Sequence, residues 1–247
     1  MQSFVRSFSV IPSIDSTNNY AMQMVHARLA KHGDAWLALE QTSGKGQRGK
    51  SWQSSRDENI LLSIVLEPSF LVPTRSFLLN AAIGLGVFDL YKKYAGYETR
   101  IKWPNDIYWG DRKAGGILIE NIIRSESWLF AVAGIGLNIN QVNFPEYLQR
   151  AISLRQITGK DFDAIELAKE LCFFLEQRYE ALKAGNEKEI LYDYRKAMYK
   201  LNEYVTFKKN GLLFKALVKG VTEDGLLVVE TENNELEWLW GTVEWIV

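Results

Sequence analysis

The 247-residue chain has little of what metal and thiol chemistry needs: one cysteine and two histidines. A single thiol excludes an internal disulfide and any cysteine-rich zinc site. Cys172 lies in Leu-Cys-Phe-Phe-Leu, the setting of a small core residue. His26 and His32 fall in an expected helix without ligating neighbours, so no metal-binding residues are assigned. An excess of one charge is also missing. Twenty-nine cationic side chains face 30 anionic ones, for a formal charge of −1. No global field draws such a chain to nucleic acid or to an anionic membrane. No apolar run reaches the length of a bilayer span, and the N-terminus has no charged segment followed by an apolar one. The expectation is a soluble, reduced, cytoplasmic protein with one ordinary domain and a small appendage.

What the chain does have is concentrated in residues 102 to 120. Lys102, Asp106 and Lys113 stand there among apolar and aromatic residues. Pro104 cannot donate to a sheet ladder and favours an extended Trp103. Ile107 to Trp109 reads as a short strand, Gly110-Asp111 as a hairpin turn, and Ile117 to Ile123 as a mostly buried strand. Gly115 and Gly116 after Lys113 leave room for a ligand to approach the backbone. The same residues also fit a plain hairpin with solvated lysines and a glycine bulge.

A second concentration runs from Gln41 to Trp52. Gly44, Gly46 and Gly49 alternate with Lys45, Arg48 and Lys50, and Gln47 adds an amide. Glycines let backbone N–H groups converge, and the cations supply charge for an anion. Gly44 to Ser51 matches the P-loop pattern G-x-x-x-x-G-K-S/T letter for letter. A P-loop must open a helix, yet residues 53 to 59 carry no helical apolar stripe. No apolar strand ends in an aspartate that would hold Mg²⁺. The stretch therefore reads as a loop between two strands that closes over an anionic ligand.

The rest of the chain supplies a frame. Residues 4 to 11 and 35 to 40 read as strands. Asp15 or Ser16 caps a helix to about Lys31 that Gly33 stops. Ser16, Thr17 and Asn18 place short hydrogen-bonding groups at that N-terminus, suited to a polar, uncharged head group, although capping alone accounts for the first two. Ile60 to Leu66 is a strand and Arg75 to Tyr94 a helix capped by Thr74. Arg100 to Trp103 and Trp128 to Ala133 are strands. Beyond the last lies Gly134-Ile135-Gly136-Leu137-Asn138-Ile139-Asn140. There, glycines admit a ligand, and Asn138 and Asn140 share one side of a strand. Helices from Asp163 to Ala184 and from Glu187 to Lys200 read as scaffold. From Leu201, five short strands with turns at Asn210-Gly211, Asp224-Gly225 and Asn233-Asn234 predict a small β-barrel-like module. Under fifty residues is marginal alone, so the module should dock on the main domain. The boundary is placed between 199 and 200.

A polar head-group site, a cationic glycine loop and a lysine beside Gly-Gly point to one chemistry. They suit activation of a carboxylate by ATP to an acyl-adenylate. Lys113 would neutralise the carboxylate, and the loop would keep water from the anhydride.

Residues 14 to 140 resemble the catalytic domain of a biotin–protein ligase. The matching segments are Asp15 to Asn18, Gln41 with Gly44 to Trp52, Lys102 to Asp106 with Asp111 to Gly116, and Gly134 to Asn138. The resemblance implies an α/β (α+β) fold with a mixed sheet, of the type shared with class II aminoacyl-tRNA synthetases. It also implies a C-terminal SH3-like domain. It implies that biotin and MgATP give biotinyl-5′-AMP and pyrophosphate. The acyl group then passes to a lysine of a biotin carboxyl carrier protein, of acetyl-CoA carboxylase or another biotin-dependent carboxylase. By the match, Ser16, Thr17, Asn18 and Gln41 contact the biotin head. Gly44, Lys45, Gly46, Gln47 and Lys113 hold the carboxyl and phosphate, and Gly115 and Gly116 line the tail. Lys45, Gln47, Arg48, Lys50, Trp52, Lys102, Asn105 and Asn138 serve the nucleotide. Lys113 and Asp106 are the implied catalytic pair, Asp106 as a base or as the residue that orients Lys113.

Two departures from the resemblance carry expectations. The family's loop is rich in arginine, where this chain has Lys45, Gln47 and Lys50. Lysine loses the bidentate fork and Gln47 the charge as well. Looser retention of the adenylate follows, and an unchanged release rate in Gln47→Arg under single-turnover trapping would refute it. The stretch before Asp15 is too short for a DNA-binding winged helix, so no operator binding is expected. The competing readings are a lipoate–protein ligase, a P-loop kinase and a non-catalytic binding module. Each acid and ATP turnover separate them.

Overall fold

The computed structural model describes residues 5–232 and 234–246. Phe4 and Asn233, which fall within the strand and turn expectations above, lie outside them. The described residues form a mixed seven-stranded sheet, four helices of ten or more residues around it, and a five-stranded antiparallel sheet.

The first half runs β1 (Ser7–Ile11), α1 (Thr17–His26), β2 (Asp34–Ala38), β3 (Ile60–Leu66), α2 (Ser76–Ala95), β4 (Thr99–Lys102), β5 (Asp106–Trp109), β6 (Arg112–Arg124) and β7 (Ser127–Leu137). The sheet order is β1-β2-β3-β7-β6-β5-β4. Among the described strands of this sheet, β1 and β2 pair in parallel and the remaining pairs are antiparallel. β3 is buried along its whole length because both faces of the sheet are covered. Its even-numbered residues Ile60, Leu62, Ile64 and Leu66 enter the main core, with Leu78, Leu79 and Tyr91 of α2. Its odd positions face the other way. Val65 packs with Ala21 and Val25 of α1, and Ser63 supplies a hydroxyl midway along that face. That second face carries the site.

The second half is helical, then β again: α3 (Leu154–Thr158), α4 (Ala164–Lys183), α5 (Glu187–Ala197), β8 (Tyr204–Lys209), β9 (Leu212–Val221), β10 (Leu227–Glu230), β11 (Glu235–Trp238) and β12 (Glu244–Ile246). α2 is held between the sheet, α4 and α5. A Cβ on Gly86 would come within 3.0 Å of the Leu175 backbone, so this glycine sets the close crossing of α2 and α4. Arg178 of α4 ties the three helices together, donating to Asp89 at 2.7 Å and to Asp193 at 2.6 Å. The small sheet has the order β11-β10-β9-β8-β12. Its interior (Phe207, Val218, Leu227, Trp238) is continuous with the main core. It is pinned by Trp103 Nε1 donating to Gly225 O at 2.9 Å and Arg195 Nε donating to Val221 O at 2.9 Å.

Several boundaries differ from the sequence reading. α1 ends at His26, not near Lys31. Arg28 adopts φ 61°, and the N–H groups of Leu29 and Ala30 turn back to Met24 O. α5 stops at Ala197, and α2 starts at Ser76 after a 3-10 turn that takes in Thr74. β6 is one strand through Lys113, Gly115 and Gly116, with a bulge opposite Ile107 and Tyr108. β7 likewise continues through Gly134 and Gly136. Asn138 and Asn140 lie beyond its end and do not share a strand face. The Asn140 amide instead pairs with both backbone groups of Phe162, at 2.7 and 3.0 Å. α3, with a reciprocal capping box of Ser153 and Gln156, had no counterpart in the sequence reading. Among the described residues, no helix is long and apolar enough to cross a membrane.

Candidate active site

Residues 41 to 52 form no helix-opening P-loop. The chain doubles back, with Gly46 N–H donating to Lys50 O at 2.6 Å and Trp52 N–H to Gly44 O at 2.8 Å. A single 3-10 turn, Gln47–Gly49, caps the loop, and Arg48 there has φ 56°. The loop lies over the α1 face of the sheet and roofs a cleft of about 830 Å³.

One end of the cleft is polar and uncharged. Ser16 caps α1, and Thr17 and Asn18 begin it; all three are buried. Gln41 Oε1 accepts from Thr17 N at 2.7 Å, satisfying one orphan N–H of the helix start. The Ser63 hydroxyl lies 2.7 Å from Thr17 Oγ1 and 2.6 Å from Asn18 Oδ1. The Asn18 amide then donates to Glu120 Oε2 at 2.8 Å. Satisfied buried networks of this kind hold donor and acceptor positions rigidly. Ser63 and Glu120 escaped the sequence reading because they belong to β3 and β6, whose adjacency to α1 depends on sheet order.

The middle of the cleft is cationic. Lys113 Nζ pairs with Asp106 Oδ1 at 2.7 Å. The β5–β6 register places Asp106 opposite Gly116, one pleat from Lys113. Lys113 also lies over the Trp52 ring, 5.8 Å from its centroid. Among the described residues, Lys102 Nζ has no carboxylate within ion-pair distance. It donates to Tyr108 OH at 3.1 Å and sits 4.8 Å from the Tyr108 ring and 5.7 Å from that of Trp245. Burial, reinforced by Lys113, Arg150 and Lys50, pushes its pKa down to about 8, against the opposing pull of Asp106. Lys45 reaches Glu120 at 3.9 Å, and Gln47 Nε2 donates to Ile117 O at 3.4 Å. Asn105 donates to that same carbonyl. Asn138 donates to Lys113 O at 3.4 Å, bracing the lysine's backbone.

Of the residues singled out from sequence, Ser16, Thr17, Asn18, Gln41, Lys45, Gly46, Gln47, Arg48, Lys50, Trp52, Lys102, Asn105, Asp106, Lys113, Gly116 and Asn138 all line this one cleft. Gly44 and Gly115 do not. A Cβ on Gly44 would lie 2.4 Å from Trp52 O, and one on Gly115 2.3 Å from Leu137 Cδ2, so both serve close backbone packing. The glycines of β7 line the same cleft, and they also make room for the protein itself. A Cβ on Gly134 would strike Asn18 at 2.2 Å, and one on Gly136 the Trp52 indole at 2.5 Å. The Arg48 guanidinium turns outward to the small sheet, donating to Gly241 O at 2.9 Å. That sheet contributes a whole wall, including Lys208, Trp240, Glu244 and Trp245, which strand counting could not assign to a site.

For a divalent cation, the described residues offer no group of three carboxylate, imidazole or thiolate side chains. Asp106 and Glu244 are the carboxylates lining the cleft, which suits an Mg²⁺ held chiefly by nucleotide phosphates.

The comparisons agree with this geometry. Residues 10–140 match the biotin/lipoate A/B protein ligase family. The chain is 29% identical over 245 residues to the bifunctional ligase/repressor BirA of Escherichia coli, spanning 96% of this chain and 73% of that protein. It is 30% identical over 195 residues to the biotin–[acetyl-CoA-carboxylase] ligase of Mycobacterium tuberculosis, spanning 77% and 70%. Its fold is similar to the biotin protein ligase from Aquifex aeolicus in complex with biotin and ATP. The TM-score is 0.83 at 26% identity, over 98% of this chain and 99% of that one. The family model covers more than half of the chain and its segments meet in one cleft: the chain belongs to the biotin/lipoate A/B protein ligase family.

Proposed function

We propose that the chain is an ATP-dependent biotin–protein ligase that modifies a lysine of a biotin carboxyl carrier domain. One observation supports this above the rest. A single cleft joins an uncharged hydrogen-bonding end, built on Ser16 to Asn18, to a cationic centre at Lys102 and Lys113. A ureido head and an anionic tail that meets a nucleotide require this polarity.

In the first step a carboxylate oxygen of biotin attacks the α-phosphorus of ATP. The bond from that phosphorus to the bridging oxygen breaks, and pyrophosphate leaves. Lys113 neutralises the approaching anions, and its 2.7 Å pair with Asp106 fixes its position. Mg²⁺, when bound, supplies charge neutralisation on the phosphates. Lys102 and Lys50 face the nucleotide. In the second step the carrier lysine's nitrogen bonds to the acyl carbon and the acyl C–O bond breaks, releasing AMP. Asp106 takes the amine proton or keeps Lys113 oriented. The roof of residues 44 to 52 excludes water in between.

The test is adenylate formation from α-labelled ATP with biotin or lipoate. The expected result is biotin-dependent pyrophosphate release and a biotinyl-AMP product, reduced on the order of a hundredfold or more in Lys113→Ala. Turnover with lipoate alone would assign the acid differently, and ATP binding without turnover would leave a binding module.

A further inference from the structure

Arg48 belongs to the cleft roof, yet its charge is not directed at the cleft centre. Its guanidinium donates through Nη1 to Gly241 O at 2.9 Å and lies over the Trp240 ring, 5.0 Å from the centroid. These contacts span 193 positions of sequence and join the roof to the loop between β11 and β12. The receiving surface is shaped for the guanidinium. Gly241 has φ 81°, and a Cβ there would lie 2.2 Å from Arg48 Nη1. Trp240 is 40% exposed, so its ring is not committed to the module's core. Arg48 itself sits in left-handed backbone at φ 56°. A lysine ammonium lacks the planar guanidinium that here meets the Gly241 carbonyl and the Trp240 ring together.

We propose that Arg48 and Trp240 are a positioning pair for the reaction: a latch by which the small sheet holds the 44–52 roof shut over the acyl-adenylate. Arg48 then acts through the loop, not on a phosphate. The roof is bonded to itself at Gly44–Trp52 and Gly46–Lys50, and its C-terminal end is packed on the sheet through the Trp52 ring; nearer its tip, among the described residues, it reaches the sheet through the 3.4 Å contact of Gln47 with Ile117 O and the long Lys45–Glu120 pair. The Arg48 contact is the strong one at its tip, so release of the intermediate depends on it. This rests on the biotin–protein ligase reading.

The experiment follows release of labelled biotinyl-AMP from the full chain after single-turnover synthesis, in Arg48→Ala, Arg48→Lys, Trp240→Ala and the double alanine variant. Both single alanine variants should release the adenylate roughly five- to tenfold faster. The double variant should be no faster than either single one, since one contact has been broken twice. Arg48→Lys should behave nearly as the alanine does. Trypsin supplies a second readout: cleavage at Lys45 and Lys50 of the ligand-free chain should quicken in Trp240→Ala. An Arg48→Ala effect with a silent Trp240→Ala would instead place Arg48 on the nucleotide and overturn the latch. So would wild-type release and trypsin cleavage rates in both. A wild-type chain that makes no biotinyl-AMP would refute the ligase reading itself, while the trypsin comparison would still decide the latch.

Discussion

Lys102 is a cleft residue whose ionisation departs from that of its side-chain type. It is half-buried between Tyr108 and Trp245, and its pKa is lowered from the ordinary lysine value to about 8. The folded chain thus disfavours its charged form. Between about pH 8 and the unfolded lysine value the unfolded chain binds the extra proton, so this residue's contribution to stability rises as pH rises through that window. Its contribution to phosphate binding has the opposite sign, because the cation is lost there. The kcat/KM for ATP should therefore fall above about pH 8. The corresponding limb in kcat should lie higher, since bound phosphates restore the charge. Lys102→Arg, with a guanidinium that stays protonated, should flatten the kcat/KM limb even if its maximum is lower. An unchanged limb near pH 8 in that variant would assign the titration to another group.

At the scale of elements, β7 makes the most specific demand. It is paired along both edges at Gly134 and Gly136, with β3 on one side and β6 on the other, so its backbone cannot yield. Gly136→Ala must therefore displace the Trp52 indole, whose N–H is already buried without a partner among the described residues. A cost of about 1–3 kcal/mol in urea unfolding is expected. A weaker affinity for biotin in equilibrium dialysis should accompany it, because Trp52 anchors the C-terminal end of the roof. Gly134→Ala should weaken biotin binding as well, by displacing Asn18 from Ser63 and Glu120. Alanine at either position with wild-type stability and affinity would show that the roof and α1 adapt. These glycines mark where sequence reading ran out. A glycine that faces a ligand and one that faces a tryptophan leave the same letter in the chain. The strands themselves were legible, since Ile60–Leu66 is apolar apart from Ser63 and Asn210-Gly211 is turn chemistry. The end of α1 was not, because Arg28 in left-handed backbone leaves no glycine as a marker. Contacts such as Asn18 with Glu120 require knowing that β6 follows β7 across the sheet, an order that no local pattern encodes.

For the whole molecule, the issue is whether the division proposed between residues 199 and 200 separates two folding units. The small sheet has a few large interior side chains, and its Phe207, Val218 and Leu227 join the core that begins at β2 and α2. Its β9–β10 turn is held from the other side. Phe77 of α2 lies against Gly225, where any Cβ would strike the ring at 2.2 Å, and the Trp103 indole donates to the Gly225 carbonyl. Severing this junction would expose apolar surface on both parts and leave the buried Trp103 N–H without its acceptor. A module of this size holds little stability of its own. The full chain should therefore unfold in urea as one transition, with coincident midpoints by tryptophan fluorescence and far-ultraviolet circular dichroism. Biotin with ATP should raise that single midpoint, because the ligands bind a cleft walled by both parts and so stabilise both together. Gly225→Ala tests the junction directly. It should lower the midpoint of the whole transition by forcing Phe77 aside, while residues 44 to 52 and their contacts remain in place. Two resolved transitions in the wild-type chain, with the ligands moving only one, would show that the small sheet folds independently and merely rests on the catalytic part.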